Sequence, residues 1–247
     1  MTNSSRVAKI GLLVFGILLL ASAIWAQNCP PAAENMAKAY GLDSWGQIEA
    51  VRYTFNLDLP AFKLKLSRSW VWEPKTGQVT YEGKDKAGNP VKVTYVRSQI
   101  SSQPENVQKE IDPGFVNDQY WLFFPLHACW DTGASVEDKG MQKLPLGGGS
   151  ARLVSVKYPS EGGYTPGDTW DLYVGPDNQV KQMLFRHGAG AKAPIKVTIV
   201  TWAGYKKAGL LLISTDHRGT ADGNPVTITF TNVAVKLKGS DTWVNAQ

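Results

Sequence analysis

Histidine is scarce in this 247-residue chain: there are three, His127, His187 and His217, widely separated. So few leave little material for a zinc site or a Ser-His-Asp arrangement. His127 and Cys129 form an H-x-C pair, but a metal site needs a second spaced pair of ligands, so no metal is expected. Charge is sparse too, with Asp, Glu, Lys and Arg making up 19% of the chain. Setting Arg6 and Lys9 aside from the 26 Lys and Arg leaves 24, against 21 acidic residues. A scattered surplus that small excludes nucleic acid as a partner. Gly147-Gly148-Gly149-Ser150 is not followed by the Lys-Ser/Thr pair of a phosphate-binding loop, and its flanks read as strands, so it is a hairpin turn. Glu161 to Asp168 holds two carboxylates and the Thr165 hydroxyl, but turn residues dominate it. No catalytic set and no cofactor are implied.

Long apolar runs are equally few, and the clear one is terminal. Arg6 and Lys9 precede an uncharged stretch from Ile10 to Ala26, the pattern of a secretory signal. Cleavage after the small residue Ala26 leaves a mature chain of residues 27–247, exported to the periplasm and not membrane-spanning. The run is about 17 residues long, the short edge of what spans a bilayer, so an uncleaved inner-membrane anchor is the alternative. Gln27 and Asn28 in front of Cys29 argue against lipid attachment there. In an oxidising compartment Cys29 and Cys129 invite a bridge that ties down the amino terminus; two free thiols are the other outcome.

What remains suits one all-β domain. Ala32 to Tyr40 favours a short helix stopped by Gly41. From Ile48 the period becomes two, with Val51, Tyr53, Phe55 and Leu57 on one side. Further strands are predicted near Phe62–Trp72, Gln78–Tyr81, Val91–Arg97, Ser135–Lys143, Ala151–Tyr158, Thr169–Val174, Val180–His187, Ile195–Trp202, Leu210–Ser214 and Val226–Val235. Turn residues such as Ala87-Gly88-Asn89-Pro90 and Asp222-Gly223-Asn224-Pro225 separate them as a meander. Gln103 to Trp130 interrupts the strands. Glu105 to Ile111 looks helical, and Tyr120 to Phe124 suits helix or strand.

Nine Trp, nine Tyr and eight Phe make the chain rich in aromatics. Trp70, Trp72, Trp121, Phe123, Phe124, Trp170, Tyr173, Phe185 and Trp202 come from many segments. They form either an ordinary core or the wall of an apolar cavity on the concave side of a curved sheet.

Three motifs carry a resemblance. Asn117-Asp118-Gln119-Tyr120-Trp121-Leu122-Phe123-Phe124-Pro125 is followed by Tyr164 to Val174 and by Thr201-Trp202-Ala203-Gly204-Tyr205. In that order they resemble bacterial envelope proteins of the LolA/LolB-like, outer-membrane lipoprotein-sorting superfamily. The resemblance implies a mainly β fold: an unclosed antiparallel β-barrel of about eleven strands, with a few short helices plugging its concave face. It further implies a hydrophobic cavity for acyl chains or other lipids. The individual ligand contacts of the lipoprotein carriers are not matched here, so lipoprotein sorting is not carried over.

Three functions follow as expectations. The first is a binding or carrier protein for a lipid, an acylated protein or another apolar ligand, with Trp121 to Phe124 as plug or lid. The second is an envelope hydrolase acting on a lipid-like or glycan substrate, with Asp171, Asp216 or His187 as acid/base group. The third is a structural module whose sheet edge pairs with an envelope-protein partner.

Overall fold

The computed structural model describes residues 29–85, 87–188 and 196–247. The expected signal, residues 1–26, lies outside the described residues. Among those described, no helix is long and apolar enough to cross a membrane.

Helix α1, Pro31–Ala39, has Pro in its first turn, Glu34 near its start and Lys38 near its end, each placed favourably for the helix dipole. It buries Ala32, Ala33, Met36 and Ala37. Four strands follow, β1 (Ile48–Leu59), β2 (Leu64–Glu73), β3 (Gln78–Lys84) and β4 (Pro90–Val96). After a long helical segment come β5 (Ser135–Lys143), β6 (Ser150–Lys157), β7 (Thr169–Val174), β8 (Val180–His187), β9 (Lys196–Thr201), β10 (Ala203–Ala208), β11 (Leu211–Ala221), β12 (Asn224–Leu237) and β13 (Trp243–Asn245). All thirteen belong to one sheet of order β4-β3-β2-β1-β12-β11-β9-β8-β7-β6-β5, with β10 beside β11 and β13 beside β12. The pairings are antiparallel.

The sheet is mainly β and unclosed, as expected, because β4 and β5 end the strand order without pairing to each other. Two strands exceed the expected eleven. β10 and β13 lack an alternating apolar pattern: β10 opens Ala203-Gly204 and carries exposed Lys206 and Lys207, and β13 has only three residues. Since β4 and β5 are consecutive in the chain yet lie at opposite ends of the sheet, the segment joining them crosses it. That segment carries α2, Asp112–Trp130. A wide turn over Val107–Ile111 leads into it, so the region expected to break the strands is helical, Tyr120 to Phe124 included.

Alternation fixes the inner face. Val51, Tyr53 and Phe55 of β1 are buried, and Tyr53 pairs with Trp70, which pairs with Tyr81, giving an aromatic row across three strands. α2 is buried almost all round, Phe115, Leu122, Phe123, Phe124 and Leu126 among its members, as an unamphipathic apolar helix must be. It fills the concavity of the half-barrel.

Candidate functional site

Three anchors hold α2 in place. At its start, buried Asp112 accepts hydrogen bonds from Tyr95 Oη and Arg97 Nε, each at 2.9 Å, and from the Tyr164 hydroxyl. Nearly two turns on, fully buried Asp118 accepts from Arg68 through Nε at 2.7 Å and through Nη2, from Trp70 Nε1 at 2.8 Å and from Asn117 Nδ2 at 3.0 Å. Arg68 reaches this carboxylate past Gly114, where an added Cβ would stand 3.1 Å from its Nη1. Near the end of α2, Cys129 is bonded to Cys29, so the expected bridge between the amino terminus and mid-chain is formed, with Cα atoms 5.4 Å apart.

The aromatic residues proposed for a cavity wall mostly converge on α2. Trp121 meets Trp170 at 5.2 Å and Phe185 at 6.0 Å between ring centroids, and Phe124 stacks on Trp170 at 4.1 Å. Phe123 points the other way, to Trp45 at 5.4 Å and Trp72 at 6.2 Å. Trp70 packs on Phe115 at 5.5 Å, and Trp202 stacks on His217 at 3.8 Å. Tyr173 is the exception. Trp170 and Leu172 of β7 point inward, so Tyr173 points outward, into a small separate cluster with Ala151, Leu153 and Leu184 on the convex face. Trp121, Phe123 and Phe124 are all buried. The interior they occupy is packed ring against ring.

Solvent reaches this aromatic layer at one mouth of the half-barrel. An open cleft of about 160 Å³ lies between the first turns of α2 (Val116, Asn117, Tyr120) and β7–β8 (Trp170, Phe185, His187). The loop between β6 and β7 covers it with Tyr164 and Thr165, and beneath the same loop a second space of about 410 Å³ shares Tyr120, Tyr164 and Thr165. Gly162, Gly163 and Gly167 of the loop all have positive φ, which glycine adopts without strain. At Gly188 an added Cβ would stand 2.1 Å from Gly167 C, so the loop rests directly on the end of β8.

Two carboxylates flank the mouth, Asp168 buried and Asp131 half-buried. Asp168 accepts from Gly188 N at 2.8 Å and pairs with His187 Nδ1 at 2.9 Å. Burial pushes its carboxyl above the usual range, against the pull of Gly188 and His187. Asp131 binds Tyr120 Oη at 2.7 Å, Tyr158 Oη at 2.5 Å and His127 Nδ1 at 3.0 Å. Burial alone would raise it, but the charge of His127 and the bonds from His127, Tyr158 and Tyr120 hold it below the ordinary carboxylate value.

The three acid/base candidates occupy different surroundings. Asp171 is buried on the convex face, bonded by Ser155 Oγ at 2.6 Å and by Arg186. Asp216 forms a surface pair with Arg218 at 2.8 Å. His187 alone lines the mouth. His217 is fully buried mid-strand in β11, and burial lowers its pKa to about 3. Sequence reasoning missed Asp112 and Asp118 as anchors and Asp131 at the mouth. Asp118 sits inside a quoted motif, but nothing local marks its partner 50 residues away.

No family model matches the chain, and no curated protein matches it. Among solved structures the chain is similar to a DUF1329 family protein from Desulfovibrio piger, at 10% identity over 85% of this chain and 94% of that one, with a TM-score of 0.45. It is also similar to a LolA superfamily protein from Nitrosomonas europaea, at 6% identity over 82% and 90%, TM-score 0.44. A third is the lipoprotein LppX of Mycobacterium tuberculosis, at 8% identity over 85% and 97%, TM-score 0.29.

Proposed function

We propose that the protein is a periplasmic binding or carrier protein for an acylated or otherwise apolar molecule, which enters at the mouth beneath the β6–β7 loop. One observation carries this reading: Val116, Trp170 and Phe185, members of the aromatic interior or packed against it, also wall the solvent-open cleft. At about 160 Å³ the cleft is smaller than the ~300 Å³ of the smallest ordinary ligand pockets. Lifting the loop joins it to the neighbouring space of about 410 Å³. The fixed points of α2 at Asp118 and Cys129 make the loop, and not the helix, the moving part. Each methylene buried contributes about 0.8 kcal/mol, so ten carbons give about 8 kcal/mol before the costs of association. No covalent step is needed.

The test is uptake of an uncharged, environment-sensitive acyl probe by wild type and by Asn117→Trp. Asn117 is exposed and lines the cleft, so the indole obstructs it at the cost of one hydrogen bond to Asp118. The expected result is saturable uptake by wild type and loss of most of it in a variant that melts close to wild type. Absence of uptake by wild type, or uptake unchanged by the variant, overturns the reading. A second reading, a structural module with an envelope-protein partner, is favoured by the packed interior. It predicts that absence of uptake.

A further inference from the structure

The two spaces at the mouth are unusual in the sign of their charge. Asp131 and Glu161 line the outer one and Asp168 the inner one, while neither has a Lys or Arg among its described lining residues. Arg97 has its guanidinium 5.7 Å from the Tyr164 ring and is bonded to Asp112. His187 is the single basic group in the lining, and its Nδ1 is held by Asp168. Asp131 stays ionised because three neighbours bond to it. Among the described residues, an anion entering here would lose water and find only His187, already paired with Asp168, to replace it. An ammonium group is poorly served as well, because Asp131 and Asp168 are already occupied by the tyrosines, His127, His187 and Gly188, and Glu161 is exposed to water.

The remaining groups suit hydroxyls. The Tyr120 and Tyr164 rings offer apolar faces, and Thr165 and the Nε2 atom of His187 offer hydrogen-bonding atoms. The indole N–H of Trp170 is buried with no partner among the described residues, although Trp170 walls the cleft. A donor left unmatched in this way costs free energy that an incoming oxygen would recover.

We propose that the mouth selects amphiphiles with an uncharged, hydroxyl-bearing headgroup, of the sugar or glycerol kind, and rejects carboxylate and phosphate headgroups. This rests on the reading of the mouth as the ligand's entrance. The experiment is displacement of the uncharged acyl probe from the full exported protein by four amphiphiles of equal chain length, below their micelle concentrations. They are an alkyl glucoside, a fatty acid, an alkyl phosphate and an alkyl trimethylammonium.

The glucoside is expected to displace at a concentration roughly tenfold below either anion. That gap should narrow as salt screens the carboxylates. Glu161→Lys, an exposed change, should bring the phosphate close to the glucoside without moving the melting temperature. Anions that displace as well as the glucoside overturn the headgroup inference and leave the carrier reading standing. The trimethylammonium displacing best overturns it in favour of a cation site. Failure of the probe to bind at all removes both.

Discussion

Asp118→Ala tests the claim that α2 is a fixed element of the fold. The Asp118 side chain is fully buried, while that of Arg68 is 19% exposed. The substitution strands the guanidinium beside Gly114 and also leaves the Trp70 indole N–H without its 2.8 Å acceptor. Removing one partner of a buried pair costs about 3–5 kcal/mol, most of it from the charge left behind. The lost indole bond belongs to the same network and does not add in full. A domain of this size loses about 2–4 °C per kcal/mol, so the expected fall in melting temperature is about 6–20 °C. Thermal melting and urea unfolding on the same samples measure it, with the urea slope expected to stay at the wild-type value. Replacing both partners, Arg68→Met with Asp118→Leu, should recover part of the loss, because no charge is then stranded. A single variant melting within about 2 °C of wild type would refute the anchoring role.

Three further outcomes follow from the same structure. Removing both Cys29 and Cys129 opens a loop spanning 100 residues, which in the chain-entropy model is worth about 4.7 kcal/mol; urea unfolding of the Cys29→Ala, Cys129→Ala chain reads that loss. His217 has a folded pKa of about 3 against an ordinary 6.5. Between those values the unfolded chain holds the extra proton, so stability falls as the pH is lowered from 6.5 toward 3. His217→Phe should flatten the dependence of melting temperature on pH in that window, and an unchanged slope would contradict it. Tyr164→Phe removes the loop's hydrogen bond to Asp112; hydrogen exchange should quicken across residues 159–167 while the melting temperature stays near wild type.

Most of the sheet was legible because each strand half-faces a core. Val51, Tyr53 and Phe55 alternate with Arg52, Thr54 and Asn56, and the burial follows that alternation, Thr54 excepted. β11 was expected to stop at Ser214, where the apolar run gives way to Asp216-His217-Arg218, yet the strand continues to Ala221 with His217 inside and its charged neighbours outside. Polarity alone hides a buried histidine. α2 was ambiguous for a physical reason: a helix surrounded by protein needs no polar face, and so shows no helical period. Of the aromatic set, Tyr173 was misplaced by collecting residues by type, where strand parity separates it from Trp170. The mouth was the least legible part. Tyr164 meets Asp112 across 52 residues and Tyr158 meets Asp131 across 27, and a tyrosine in a glycine-rich turn gives no sign of which carboxylate it will find.

The central claim, that an amphiphile occupies the mouth beneath the β6–β7 loop, is tested most directly by native mass spectrometry of the protein extracted gently from its own cells. The account predicts a non-covalent adduct that delipidation removes and that returns on incubation with the neutral, hydroxylated fraction of an envelope lipid extract, but not with Asn117→Trp. Bare protein under every one of these conditions would contradict it.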